Sequence, residues 1–403
     1  MDLANSWNNF EKSVVQKYDS LRADIHQRIE KFEIDHNLKS PPAPKLPYIE
    51  LHNEQTNITI ARAGNYSETL NIGGRTRHFI LHVPAGYDPA KGQAVPLIVA
   101  LHGFTQSASD FQGDAGLDKE ADARHAAILY PDATKWLGID IASAWYTGNG
   151  LTPTGARADD VGFLRQAIGI AENQIKVDKN RVDLLGVSNG GMMAYKAAAE
   201  MSDIVAAVVD ISGAMSGQES KPPNPISVMS VVGTKDEIVP PGGRTKNEEV
   251  SAISKTMQEI LSNLGSQRWR HFVQSPQGKD LRTFILETSG FAPTFKPVSY
   301  ATDFWKRTDG IQGKPVETIN GKVLTDYYQN PTTGVAVEQV VLTGMDHAAQ
   351  GGVPSTYKLN DEAWAFLAAH PKYYPPPPPA VAPAHPPEHH RRHRSVGLRH
   401  GGT

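Results

Sequence analysis

The sequence of 403 residues contains no cysteine. This absence excludes disulfide bonds, thiolate metal sites and a cysteine nucleophile. The chain also lacks an apolar run of roughly 18 residues, the length that a membrane helix needs, so we expect no transmembrane segment. The formal net charge of -3 shows no excess of positive charge, and we therefore expect no nucleic-acid partner.

The first residues also lack the features of a targeting segment. Met1 to Ser6 has neither a basic region nor an apolar core, so the sequence predicts no signal peptide and favours the cytoplasm. A hydrophobic fraction of 39% is enough for a sizeable folded core.

A G-x-S-x-G pentapeptide at residues 186–190 is the most informative motif. The apolar segment 181–185 precedes it and predicts a strand, while the segment 191–199 contains good helix formers and predicts a helix. A serine between a strand and a helix lies on a tight turn that needs small neighbours and exposes its hydroxyl. We therefore interpret Ser188 as a nucleophile rather than as part of a glycine-rich turn.

A nucleophilic serine of this type needs an acid and a base, which follow it in the chain in the order Asp or Glu, then His. Asp236 lies in the loop that follows an apolar segment, which predicts a buried strand, and Glu237 is its nearest competitor. His347 also follows a predicted strand, whereas His271 and His370 lack that context. We expect His347 to be the base and Asp236 the acid.

The oxyanion hole should come from an earlier loop. The apolar run 96–101 predicts a strand that is buried on both faces, and it leads into the polar turn 102–106. We expect the backbone N–H of Phe104 to be one oxyanion donor, with Thr105 as the alternative. The N–H of Asn189, next to the nucleophile, should be the other.

Several segments together resemble the polyhydroxybutyrate depolymerase-type esterases. They are residues 77–87, 101–106, 130–133, 159–164 and 186–194, and feruloyl and acetylxylan esterases share much of this pattern. The resemblance covers roughly residues 60 to 370. It implies an α/β-hydrolase fold, with a mostly parallel central sheet and helices on both faces.

The resemblance also implies an activity. We expect a serine esterase that works through an acyl-enzyme without metal or organic cofactor, on poly- or oligo-hydroxyalkanoate esters. The alternative substrates are feruloyl or acetyl esters of plant polysaccharides. Because many members of the family are secreted, an extracellular location is the alternative to the cytoplasm.

Three family positions differ in this chain, and one of them is Ala349-Gln350, where the family usually has Trp-Pro after the catalytic histidine. The family's cysteine after His-Gly is Phe104 here, and its Cys-Trp pair near the active site corresponds to Ala144-Trp145, so the family's disulfide is absent. The residues that we expect to contact substrate are His102, Gly103, Thr105 and Trp145.

The chain divides into four predicted parts. Residues 1–39 form an amphipathic helix, 40–57 a proline-rich linker, 58–372 the catalytic domain, and 373–403 a disordered tail rich in Pro, His and Arg. The helix docks on its own domain, forms a coiled-coil homo-oligomer, or binds a hydrophobic surface.

Within the catalytic domain the pattern predicts alternating strands and helices. A hairpin turns at residues 71–74, and helices cover Asp160 to Gln174 and Gly191 to Met201. An insertion at about 243–298 is either a cap over the cleft or a surface elaboration. Strands are predicted at 78–84, 96–101, 126–130, 182–186, 206–212, 228–232 and 338–343.

A function from another class fits part of the same pattern. The fold could serve as a binding module with a dead site, recruiting partners through the N-terminal helix and the proline-rich tail. The complete Ser, Asp, His order argues against this reading, because a module without catalysis needs none of the three.

Overall fold

A computed structural model describes residues 48–51, 59–104, 106–135, 143–148, 158–244, 294–347 and 352–373. The predicted N-terminal helix, nearly all of the predicted tail and most of the predicted insertion lie outside the described residues. The segment 40–57, predicted as a linker, contains the strand Tyr48–Leu51, whose four residues include no proline.

The described strands form one large sheet and one small hairpin. In chain order they are β1 Tyr48–Leu51, β2 Gly64–Ile72, β3 Arg75–Val83, β4 Val95–Leu101, β5 Ala127–Pro131, β6 Thr134–Lys135, β7 Ser143–Ala144, β8 Val177–Val187, β9 Ala207–Ile211, β10 Ser227–Gly233, β11 Val316–Asn320, β12 Val323–Gln329 and β13 Ala336–Leu342. Among the described residues the large sheet has the order β1-β2-β3-β5-β4-β8-β9-β10-β13-β12-β11, and β6 pairs with β7.

The centre of the large sheet is parallel. Strands β5, β4, β8, β9, β10 and β13 run in the same direction, so their carboxyl ends lie along one edge. Antiparallel pairs flank this centre, with β2 and β3 on one side and β11 and β12 on the other. Loops that follow the parallel strands therefore meet at a common edge, where ligands bind in open α/β sheets.

Helices cover both faces of the sheet. They are α1 Ala108–Ala115, α2 Leu117–Arg124, α3 Asp160–Gln174, α4 Asn189–Glu200, α5 Val298–Thr308 and α6 Leu359–Ala369, with a short 3-10 helix at Pro89–Lys91. Side chains of β4 alternate between two apolar clusters. Leu97 and Val99 pack with α3, α4 and α5, whereas Ile98 and Ala100 pack with α1, α2 and α6. This alternation explains why the strand is apolar throughout.

The sequence-based prediction of an α/β fold is confirmed. The predicted helix Asp160 to Gln174 has the observed bounds, and its N-terminus is capped by Asp159, whose side chain accepts the N–H of Gly162 at 2.8 Å. The C-terminal end of each predicted strand lies within two residues of the C-terminal end of an observed strand. The ribbon of β11 and β12 was not predicted, because β11 is exposed along its whole length and shows no apolar alternation.

No helix in the described ranges is long and apolar enough to cross a membrane.

Candidate active site

Ser188 lies on a strained turn between β8 and α4. Its backbone φ is 56°, a left-handed value that is uncommon for a residue other than glycine. The turn leaves no space for side chains on its flanks. A Cβ on Gly186 would overlap the carbonyl oxygen of Gly190, and a Cβ on Gly190 would overlap that of Leu101. The glycines of the G-x-S-x-G motif are therefore required by backbone contacts.

Asp236 lies in the loop after β10, and the backbone of that loop holds the Asp236 carboxylate in place. The N–H groups of Ile238 and Val239 donate to Asp236 Oδ1 at 3.0 and 2.8 Å. Asp236 is buried, whereas Glu237 is exposed. The structure thus brings Asp236 and not its competitor to the site.

His347 follows β13 and connects the two other residues. Its Nε2 lies 2.8 Å from Ser188 Oγ, and its Nδ1 lies 3.0 and 2.9 Å from the two carboxylate oxygens of Asp236. A carboxylate only accepts, so Nδ1 carries the proton and Nε2 accepts from the serine hydroxyl. The three side chains form one hydrogen-bonded line.

The loops of the acid and the base are joined through their backbones, because β10 and β13 are neighbours in the sheet. The N–H of Thr234 donates to Leu342 O at 3.1 Å, and the N–H of Lys235 donates to Met345 O at 3.0 Å. The Thr234 hydroxyl also accepts the N–H of Gly344 at 3.0 Å. These bonds fix Asp236 and His347 relative to one another.

The loop after β4 passes directly beside the nucleophile. A Cβ on Gly103 would lie 3.7 Å from Ser188 Cβ, and the N–H of Gly103 donates to Gln106 Oε1 at 3.0 Å. Phe104 is the next residue, and Asn189 begins α4 on the other side of Ser188. Thr105 lies outside the described residues.

His102 and Trp145, which we predicted to contact substrate, both have fully buried side chains in this structure. His102 Nδ1–H donates to Gly103 O at 2.8 Å, and His102 Nε2 accepts the N–H of Ala133 at 2.9 Å. Burial lowers the pKa of His102, although the negative charge of Asp132 partly offsets this effect. Both side chains support the loops around the site.

Asp210 on β9 was missed by the sequence analysis. It is fully buried behind the turn, where a Cβ on Gly191 or Gly213 would overlap its Oδ1. The hydroxyl of Ser230 donates to its Oδ2 at 3.4 Å. Burial raises the pKa of Asp210 to about 7, with a smaller contribution from the negative charge of Asp236. Gly191, which follows the pentapeptide, was the sequence signal that another side chain packs closely against the start of α4.

Within the part of the chain that the structure describes, no group of three or more His, Asp or Glu side chains could hold a metal ion.

Residues 78–240, which span the elements from β3 to the acid loop, match the family described as Esterase PHB depolymerase. The match includes Ser188 and Asp236 and ends before His347.

Three curated relatives are similar to this chain. "Putative esterase NocK" of Nocardia uniformis subsp. tsuyamanensis is 32% identical over 222 residues, which cover 54% of this chain and 62% of that protein. "Feruloyl esterase B" of Piromyces equi is 26% identical over 281 residues, covering 68% of this chain and 43% of that protein. "Poly(3-hydroxyalkanoate) depolymerase C" of Paucimonas lemoignei is 27% identical over 132 residues, covering 33% and 30%. The chain thus spans less than two thirds of each relative.

Proposed function

We propose that this protein is a serine esterase with Ser188 as nucleophile, His347 as general base and acid, and Asp236 as the residue that orients His347. The observation that carries this proposal is the unbroken line of hydrogen bonds, 2.8 Å from Ser188 Oγ to His347 Nε2 and 2.9 Å from His347 Nδ1 to Asp236. The strained φ of 56° at Ser188 supports it, because backbone strain of this kind clusters at active sites.

The reaction follows from these contacts. Ser188 Oγ attacks the ester carbonyl carbon while its proton moves to His347 Nε2, and the carbonyl π electrons move to the oxygen. The tetrahedral intermediate collapses, and His347 returns the proton to the departing alkoxide, which leaves an acyl-enzyme on Ser188. Water then attacks the acyl group by the same steps, again with His347 as base.

The oxyanion needs donors near Ser188. The backbone N–H groups of Phe104 and Asn189 are the proposed donors, since the loop after β4 and the start of α4 both adjoin Ser188. Asn189 is the first residue of α4, and the first N–H groups of a helix have no partner within it. The proposed chemistry involves neither a metal ion nor an organic cofactor.

For the substrate we propose poly- or oligo-hydroxyalkanoate esters. The family match over residues 78–240 and the similarity to a poly(3-hydroxyalkanoate) depolymerase support this class. Feruloyl or acetyl esters are the second candidate. One observation favours them, because the similarity to a feruloyl esterase covers 68% of this chain.

The esterase proposal is tested with short p-nitrophenyl esters. Ser188→Ala and His347→Ala should each lower kcat by at least about 10³-fold with the fold intact, because members of a triad act as a unit. Ser109→Ala, which removes an exposed hydroxyl on α1, serves as the matched control and should leave kcat unchanged. Near-normal turnover by Ser188→Ala would refute the proposal, and an inactive wild-type protein would favour a binding module.

A substrate panel tests the proposed ester class. It compares kcat/KM for 3-hydroxybutyrate oligomers, methyl ferulate and acetylated xylan. We expect the oligomers to give the highest value, with no turnover of any of the three by Ser188→Ala. A higher value for methyl ferulate or acetylated xylan would replace the hydroxyalkanoate assignment and leave the esterase proposal intact.

A further inference from the structure

The side chain of Asn189 holds the backbone of Trp145. Its Oδ1 accepts the N–H of Trp145 at 2.8 Å, and its Nδ2 lies 3.4 Å from the Trp145 carbonyl oxygen, to which it donates. The residue that follows the nucleophile thus engages both backbone polar groups of Trp145. This segment lies far from the serine turn in sequence and is joined to it by these two bonds.

Trp145 in turn reaches the loop after β4. Its indole Nε1–H donates to the carbonyl oxygen of His102 at 2.9 Å. The imidazole of His102 then donates to Gly103 O at 2.8 Å, one residue before Phe104. A chain of hydrogen bonds therefore links the two backbone segments that carry the proposed oxyanion donors.

This linkage is inaccessible to solvent. Asn189, Trp145 and His102 each have an exposed fraction of 0%. Water cannot replace a hydrogen bond that is lost there, so removal of the indole N–H would leave the His102 carbonyl oxygen with one donor fewer in a buried position.

The Trp145 segment is also anchored from its other side. The N–H of Tyr146 donates to Asp160 Oδ2 at 2.7 Å, and Asp160 pairs with Arg77 at 2.8 Å. Arg77 and Asp160 are both buried. Because the backbone around Trp145 is anchored in this way, the Trp145 indole can hold the loop after β4 in position.

We propose that Trp145, held by the Asn189 side chain, is a positioning residue that sets the Phe104 N–H relative to the Asn189 N–H. The inference rests on the proposed function, in which those two groups bind the oxyanion. Donors of an oxyanion hole must be placed to within about 0.5 Å. Because the oxyanion forms only during the reaction, a displaced donor lowers kcat and leaves KM nearly unchanged.

The test compares two tryptophans that undergo the same chemical change. Trp145→Phe keeps an aromatic ring and deletes the N–H that donates to His102. Trp305→Phe is the matched control, because Trp305 is also fully buried and its Nε1 has no hydrogen-bond partner among the described residues. We expect Trp145→Phe to lower kcat by about 10- to 100-fold with KM within about threefold. Trp305→Phe should change neither by more than about threefold.

A second readout separates positioning from folding. A trifluoromethyl ketone forms a tetrahedral adduct with an active serine and places its oxygen in the oxyanion hole. Its affinity should fall in Trp145→Phe by the same factor as kcat/KM. Titration of active sites with a phosphonate ester gives the folded fraction, by which all rates are divided.

The outcomes are distinct. Equal kcat values for Trp145→Phe and Trp305→Phe after this correction, or an unchanged affinity for the ketone, would overturn the inference and leave the proposed function standing. Hydrolysis that survives Ser188→Ala would defeat the proposed function itself. If Trp145→Phe does not fold, Asn189→Ala decides, because it keeps its own backbone N–H and deletes both bonds to Trp145. It should show the same loss of kcat, and a wild-type kcat would reject the inference.

Discussion

The serine turn and the outer ribbon of β11 and β12 belong to the same sheet but differ in their tolerance of change. At the turn, a single added Cβ on Gly190 would overlap backbone atoms of a neighbouring loop. At the ribbon, the side chains of Val316 and Ile319 are 69% and 68% exposed. Steric constraint is thus concentrated at the carboxyl ends of the parallel strands. The edge is held by backbone pairing, which depends little on side chains.

The largest expected effect on kcat distinguishes the two carboxylates of the acid loop, Asp236 and Glu237. Asp236→Asn should lower kcat by about 10³- to 10⁴-fold, because the amide no longer holds His347 with its proton on Nδ1. Glu237→Gln is the matched control and should change kcat by less than about threefold, since Glu237 is exposed. Both are measured with a short p-nitrophenyl ester. An inactive Glu237→Gln beside an active Asp236→Asn would move the acid role to Glu237.

The second prediction compares two glycines. Gly190→Ala should lower kcat by at least about 10²-fold, because its Cβ displaces either the serine turn or the loop after β4. Gly169→Ala, in α3, meets nothing within 4 Å and should raise the free energy of unfolding by about 0.5–1 kcal/mol. Turnover and urea unfolding measure the two effects. A fully active Gly190→Ala would contradict the steric account of the turn.

The third prediction concerns the buried carboxyl of Asp210. Its native pKa of about 7 lies above the ordinary value of 3.8, so the native state keeps a proton that the unfolded state loses. The contribution of this group to stability is therefore fully present below about pH 4. It is lost as the pH rises to 7, which lowers the free energy of unfolding by about 4 kcal/mol in total.

Asp210→Asn should remove this slope from urea unfolding measured between pH 4 and 8. Asp309→Asn is the comparison, since burial raises the pKa of Asp309 to about 8 at the end of α5. It should remove a similar slope and leave turnover unchanged. An unaltered pH dependence in Asp210→Asn would show that the Asp210 carboxyl is ionised in the native state at neutral pH.

Deletion of the predicted insertion is expected to have the smallest effect on kcat and KM for small substrates. The residues at its ends are paired, because Arg244 N–H donates to Phe295 O at 2.8 Å and Phe295 N–H donates to Arg244 O at 2.9 Å. An Asn-Gly turn can close such an antiparallel pair in place of residues 245–294. We expect kcat and KM for short p-nitrophenyl esters to stay within about threefold.

The same deletion distinguishes the two interpretations of the insertion. A higher KM for 3-hydroxybutyrate oligomers alone would support a cap, because remote contacts act only on substrates that reach them. Unchanged oligomer hydrolysis would support a surface elaboration. Equal losses on small and large esters would indicate a disturbed acid loop at Asp236.

The sequence was sufficient to predict the three side chains that meet at the site, and insufficient to predict the residues that surround them. Ser188, Asp236 and His347 could be chosen because each follows an apolar strand and the chemistry restricts the residue types. The burial of His102 and Trp145 could not be predicted, because it depends on which loops meet in three dimensions. Asp210 behind the turn interrupts the apolar pattern of its own strand, and the sequence signal for its position was Gly191, where a Cβ would overlap it.

The mass of the protein after reaction with a phosphonate ester is the most direct test of the central claim. We expect one covalent adduct per chain on the peptide that contains Ser188, with activity lost in proportion to labelling. The Ser188→Ala protein should acquire no adduct. An adduct on a different residue, or complete labelling of Ser188 with hydrolysis undiminished, would contradict the assignment of Ser188 as the nucleophile.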